Sequence, residues 1–98
     1  MDSPTPTPAA LHAVGTHGRD VDLNTVDDWQ SLVGTTWIDD KRNERKIVRL
    51  TEMEVSKLTN LAIGDVHWSR PHWDESRNPS KTETKLFRTW LRKSTRVS

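Results

Sequence analysis

Apolar residues come in short bursts separated by charged stretches, a spacing that predicts several short elements rather than a few long ones. In Leu23-Asn24-Thr25-Val26-Asp27-Asp28-Trp29-Gln30-Ser31-Leu32-Val33-Gly34, Val26, Trp29 and Val33 recur at intervals of three and four, with Leu32 beside them. That pattern predicts a short helix, with Asn24 as N-cap, acids in the first turn and Gly34 at the stop. An extended lead-in to the next strand is the competing reading, because so short a helix is marginal alone.

Thr35-Thr36-Trp37-Ile38 is β-branched and aromatic, and the polar run from Asp39 to Arg45 after it reads as a turn. Lys46 to Val55 is the next strand, in which Val48 and Leu50 alternate with Arg49 and Thr51, as in a sheet with one wet face. Lys57 to Ile63 is a further strand candidate closed by Gly64-Asp65, with Val66-His67-Trp68 continuing it or forming another short strand. Pro71 and Pro79 bound a loop over residues 69–80. Residues 82–91 are ambiguous. Extended, they align Thr82, Thr84, Leu86, Arg88 and Trp90; helical, they gather Leu86, Phe87, Trp90 and Leu91. The threonines favour a strand. The expected fold is therefore mainly β, a small antiparallel sheet or SH3-like barrel with a short N-terminal helix.

Before residue 23 the pattern fails. Ser3-Pro4-Thr5-Pro6-Thr7-Pro8 alternates proline with small polar residues, so residues 1–22 read as a flexible tail and 23–98 as one domain. Composition makes that domain a lean one. Leu, Ile, Val and Phe together number twenty in 98 residues, close to the level at which disorder sets in. Five tryptophans compensate, since each can bury about 150–250 Å². The absence of cysteine excludes disulfides and thiolate metal sites. No secretory leader or membrane-length apolar run is visible, so a cytoplasmic location is expected.

A net charge of +1 conceals an asymmetry: residues 1–40 carry seven acids against Arg19 alone, and residues 41–98 carry fourteen bases against seven acids. Such a division suits a basic surface that meets a polyanion or an acidic arm.

The ordered residues Gly34-x-x-Trp37-x-Asp39, then Arg45-x-Ile47-Val48-Arg49-Leu50, then Leu86-Phe87-Arg88-Thr89-Trp90 resemble small uncharacterised proteins of actinobacteria and their phages. The likeness covers residues 34–91. The family pattern has an Asp-x-Asp-x-Arg step where this chain carries Asp39-Asp40-Lys41-Arg42-Asn43-Glu44-Arg45. The resemblance implies a small β fold and a phage or actinobacterial setting; it implies no activity.

Chemistry-bearing constellations are few. His67 and His72 lie five apart beside Asp74 and Glu75, without the helical spacing or intervening glutamate of a hydrolytic zinc site, so no metal or other cofactor is expected. Asp39, Asp40 and Glu44 sit among Lys41, Arg42 and Arg45 and read as local ion pairing. Neither a nucleophile elbow nor a phosphate-cradling glycine loop is present, so the chain is expected to bind rather than catalyse, with no small-molecule substrate. Arg45, Arg49, Lys85, Arg88, Arg92 and Lys93 make a basic-aromatic face that could hold nucleic acid. The alternative is a host bacterial protein gripped by the loop residues Trp68, Arg70, His72 and Trp73. Trp37 and Trp90 are expected in the core, with Trp73 either an exposed contact or a lid.

Overall fold

A computed structural model of the chain describes residues 13–98; the part of the expected tail that precedes Ala13 lies outside the described residues. Gly18–Asp20 form a 3₁₀ turn and Val26–Gln30 the helix α1. The cap of α1 is Thr25 rather than Asn24. Its hydroxyl accepts from the Asp28 N–H and the Asp28 carboxylate accepts from the Thr25 N–H, both at 3.0 Å, a reciprocal capping box. Because the helix ends at Gln30, the chain turns so that Leu32 points inward with Trp29 while Val33 is exposed. Gly34, at φ +91°, makes the reversal into the sheet.

The strands are β1 (Thr36–Asp39), β2 (Glu44–Val55), β3 (Ala62–Ser69), β4 (Ser80–Glu83) and β5 (Ser94–Arg96), and the helix α2 (Thr84–Leu91) lies between the last two. All neighbours pair antiparallel in the order β4-β3-β2-β1-β5. The sheet stays open rather than closing into a barrel. The outer edge of β5 is met by residues 15–17: the Gly15 N–H donates to the Arg96 carbonyl at 2.8 Å and the Arg96 N–H to the Thr16 carbonyl at 2.9 Å.

Three expectations change here. Residues 57–61 belong to a turn, closed by the Ser56 N–H on the Leu61 carbonyl (2.8 Å) with Asn60 at φ +59°, and β3 runs through Gly64-Asp65 instead of stopping there. Glycine suits position 64 because β2 bulges opposite it. Glu52 takes φ +57°, and the Met53 side chain occupies the space a Cβ on Gly64 would need. Lastly, residues 84–91 are helical. A strand would have split Phe87 and Leu91 from Trp90, whereas the helix turns Thr84, Phe87 and Leu91 into the core with Trp90 beside them and leaves Leu86 outside. A single sheet must have one face covered, and that gain outweighs the threonines' β propensity.

The core lies between the sheet and the two helices. Trp37, Ile47, Val66 and Trp68 from the sheet meet Trp29 of α1 and Phe87 and Leu91 of α2, with the Trp29 and Phe87 rings edge-to-face at 6.4 Å. Cross-strand partners share a face, so the pairs Lys46 with Ser69, Arg49 with His67 and His67 with Lys81 lie on the opposite, open face.

Candidate functional site

A second bulge, at Val48, sets where the cations of β2 go. Ile47 pairs with Trp68 and Arg49 with His67, so Val48 is an extra residue that reverses the side-chain alternation. Without it Arg45 and Arg49, four apart, would share a face. With it Arg45 faces the helices and Arg49 the open side.

Arg45 is clamped between indoles. Its guanidinium carbon stands 4.1 Å from the Trp68 ring centroid and 4.5 Å from that of Trp90. Burial lowers its pKa from the usual guanidinium value, Arg70 lowers it further and Asp39 partly restores it. Its Nε is buried without an acceptor. The stack continues outward: Trp73 lies on Trp68 with centroids 5.6 Å apart, and the Arg77 guanidinium covers Trp73 at 3.7 Å. Trp68 is pinned by the neighbouring edge strand β4, as its Nε1–H donates to the Thr82 hydroxyl at 2.9 Å.

Asp39 ties this ladder to the β1–β2 turn. Its carboxylate accepts from the backbone of Lys41 (2.9 Å) and Asn43 (2.8 Å), the Asn43 side chain (3.2 Å) and Trp90 Nε1–H (3.0 Å). The acid expected in local ion pairing thus acts as a turn anchor. Burial raises its pKa, but the hydrogen bonds from Asn43, Trp90 and Lys41 together outweigh that and hold it below the usual aspartate value of 3.8. A carboxyl depressed in the folded state stabilises above its unfolded pKa and loses that contribution as pH falls through the folded value. Thermal melts between pH 5 and 2 should therefore decline more steeply for the native chain than for Asp39→Asn; identical profiles would remove Asp39 from this role.

The expected basic face is divided by this geometry. Arg45 is inside the ladder and Arg49 is exposed on the open face. On α2, Lys85 is exposed and Arg88 half-buried, its guanidinium donating to the Leu23 carbonyl. Arg92 and Lys93 follow the helix and line a separate recess with His17, Arg19 and Asp40. Of the loop residues, Trp68 is buried, Arg70 and Trp73 are half-buried and His72 is exposed. Trp73 is a lid on Trp68, not a projecting anchor.

The structure does bring Arg49, Arg70 and Trp73 together. They line a recess of about 560 Å³ between β2 and loop 70–79, joined by Lys46 and Arg77. Asp74 and Glu75 also line it, but the Asp74 carboxylate is engaged by the Ser76 N–H (2.9 Å) and hydroxyl (3.0 Å), which lower its pKa and shape the turn. Lys46 and Arg77 were not expected at a site. Lys46 is legible only through its alternation with Ile47, and Arg77 only through its place four residues after Trp73 in the same proline-bounded loop.

His67 sits beside the recess, next to Arg49 on the sheet. Burial lowers its pKa, Arg49 and Lys81 add to that and Asp65 opposes it, which favours the neutral ring; the ring shares a 2.7 Å hydrogen bond with the Thr51 hydroxyl. Among the described residues, no group of three or more His, Asp and Glu side chains is placed to hold a metal ion. No helix of the described residues is long and apolar enough to cross a membrane. No protein-family model, curated protein or solved structure matches the chain.

Proposed function

We propose that this chain is a non-enzymatic binding protein that grips single-stranded nucleic acid in the recess under loop 70–79. The observation that carries this reading is the combination of Lys46, Arg49, Arg70 and Arg77 around one cavity with an indole, Trp73, in its wall. Phosphates would lie against the four cations and release counterions. A base would stack on Trp73 once Arg77, an exposed side chain, swings aside. Compared with the face expected from sequence, the interface keeps Arg49, exchanges Lys85, Arg88, Arg92 and Lys93 for Lys46, Arg70 and Arg77, and leaves Arg45 as the half-buried support of the indole stack. The phage or actinobacterial setting implied by the resemblance is compatible with such an accessory protein.

Anisotropy titrations of a fluorescent single-stranded oligonucleotide test it. Four phosphate contacts predict that affinity falls about fifty-fold between 50 and 200 mM salt. Lys46→Ala with Arg77→Ala should cut affinity by about tenfold or more at fixed salt and flatten the salt slope, whereas Arg92→Ala with Lys93→Ala should leave both nearly unchanged. Binding that ignores salt, or that is lost through the second pair and not the first, sinks this reading. Capture of a host protein through His72 and Arg70, independent of nucleic acid, is the alternative outcome.

A further inference from the structure

A second recess, remote from loop 70–79, has a different chemistry. It lies where α1, the start of β3 and the start of α2 converge, and its volume is about 320 Å³, at the small end of the range of roughly 300–1,000 Å³ typical of ligand clefts. Trp29, Leu61, Ala62 and Ile63 give it an apolar floor. Lys85 and Arg88, three apart on α2 and so on one side of the helix, stand at its rim. Two cations that the sequence suggests for a polyanion thus guard an apolar hole.

Trp29 adds a second, independent observation. Its ring is buried to 1% exposure, and its Nε1–H is buried without any hydrogen-bond partner. Buried indole N–H groups ordinarily find an acceptor, and one left without carries a desolvation cost, so binding next to this ring should register at its N–H signal. The other cation-bearing recesses are lined chiefly by charged and polar groups. Here the lining suits an apolar body that carries a negative charge.

We propose that this recess is a binding site for a small monocarboxylate with an apolar body, an aryl or short alkyl acid. The hydrophobic part would cover Leu61, Ala62 and Ile63, and the carboxylate would lie toward Lys85 and Arg88. One Arg88 amino group already serves the Leu23 carbonyl, which fixes the guanidinium in place and leaves its remaining N–H donors for a ligand. A phosphodiester chain suits the site poorly, because its charge would face an apolar floor.

The test uses ¹H–¹⁵N correlation spectra of the full chain titrated with phenylacetate, its neutral near-isostere phenylacetamide, and acetate. The Trp29 indole N–H signal is assigned by its disappearance in Trp29→Phe. Phenylacetate is expected to move that signal and the Ala62 and Ile63 amides saturably, and to bind about fivefold more tightly than phenylacetamide, with acetate inert. Lys85→Gln, at an exposed position, should erase most of that preference without altering the rest of the spectrum. Absence of a saturable shift, equal affinity for the two probes, or a preference untouched by Lys85→Gln overturns the proposal. Because the two recesses share no residue, repeating the titration with an oligonucleotide present separates this result from the nucleic-acid reading.

Discussion

Trp37→Ala is expected to cost about 3–5 kcal/mol, the usual range for deleting a buried aromatic ring, and so to consume much of the roughly 5–15 kcal/mol that holds a domain of this kind folded. Trp37 has no exposed surface and sits on β1, flanked by β2 and β5. Its Nε1–H donates to the Thr35 hydroxyl at 2.7 Å, and that hydroxyl donates to the Leu32 carbonyl at 2.6 Å, so the ring also fastens the chain between α1 and the sheet. Truncation would leave a cavity in the core that Trp37 shares with Ile47, Phe87 and Leu91, and a core with few aliphatics cannot refill it. Trp37→Phe separates the two contributions. Most of the volume stays and the hydrogen bond goes, for an expected loss of about 1–2 kcal/mol. Urea denaturation followed by circular dichroism reads both. A Trp37→Ala midpoint close to that of the native chain would mean that the sheet does not close over this ring.

The second large effect is expected at Gly18→Ala, within residues that the sequence assigns to the tail. Gly18 is buried in the 3₁₀ turn, and a Cβ there would run into the Leu91 carbonyl, with the carbonyl carbon 2.7 Å and Leu91 Cγ 3.0 Å away. Leu91 cannot retreat readily. It is the last residue of α2, fully buried, and the next residue's N–H is bonded back to the Arg88 carbonyl at 3.0 Å. Relief therefore requires residues 15–20 to lift away from β5, breaking the Gly15–Arg96 and Arg96–Thr16 hydrogen bonds. A loss of about 2–3 kcal/mol follows, with a drop in melting temperature on the order of 10–20 °C. Faster hydrogen exchange at the Arg96 amide should accompany it. Gly15→Ala supplies the comparison: nothing stands near its Cβ, and only the strain of φ +93° is incurred, about 1–2 kcal/mol. If Gly18→Ala proved neutral, the seat of residues 15–20 on the sheet would not form in solution.

Much of the strand content was legible because alternation reports on one-sided burial. β1 and β2 fall within a residue or two of their expected places, and the prolines at 71 and 79 bound the loop as anticipated. Residues 84–91 were misread for a definable reason. Threonine's preference for extended backbone is worth tenths of a kilocalorie per mole, and it competes with burial of Phe87 and Leu91 against a sheet that the local sequence cannot see. The sequence carries the strand candidate back to Lys57, yet residues 57–61 form a turn in which Leu58 is 94% exposed. The separation of Arg45 from Arg49 was out of reach, since a bulge at Val48 has no sequence signature of its own here.

What this sequence determined by itself is a mostly β chain with an indole-rich core and a surplus of cations in its second half, because composition and alternation act locally and survive any particular arrangement. The tertiary structure alone decided which cations stand together. Strand register, one inserted residue in β2 and the choice of helix at 84–91 each turn side chains from one face to another, and all three are settled by long-range packing.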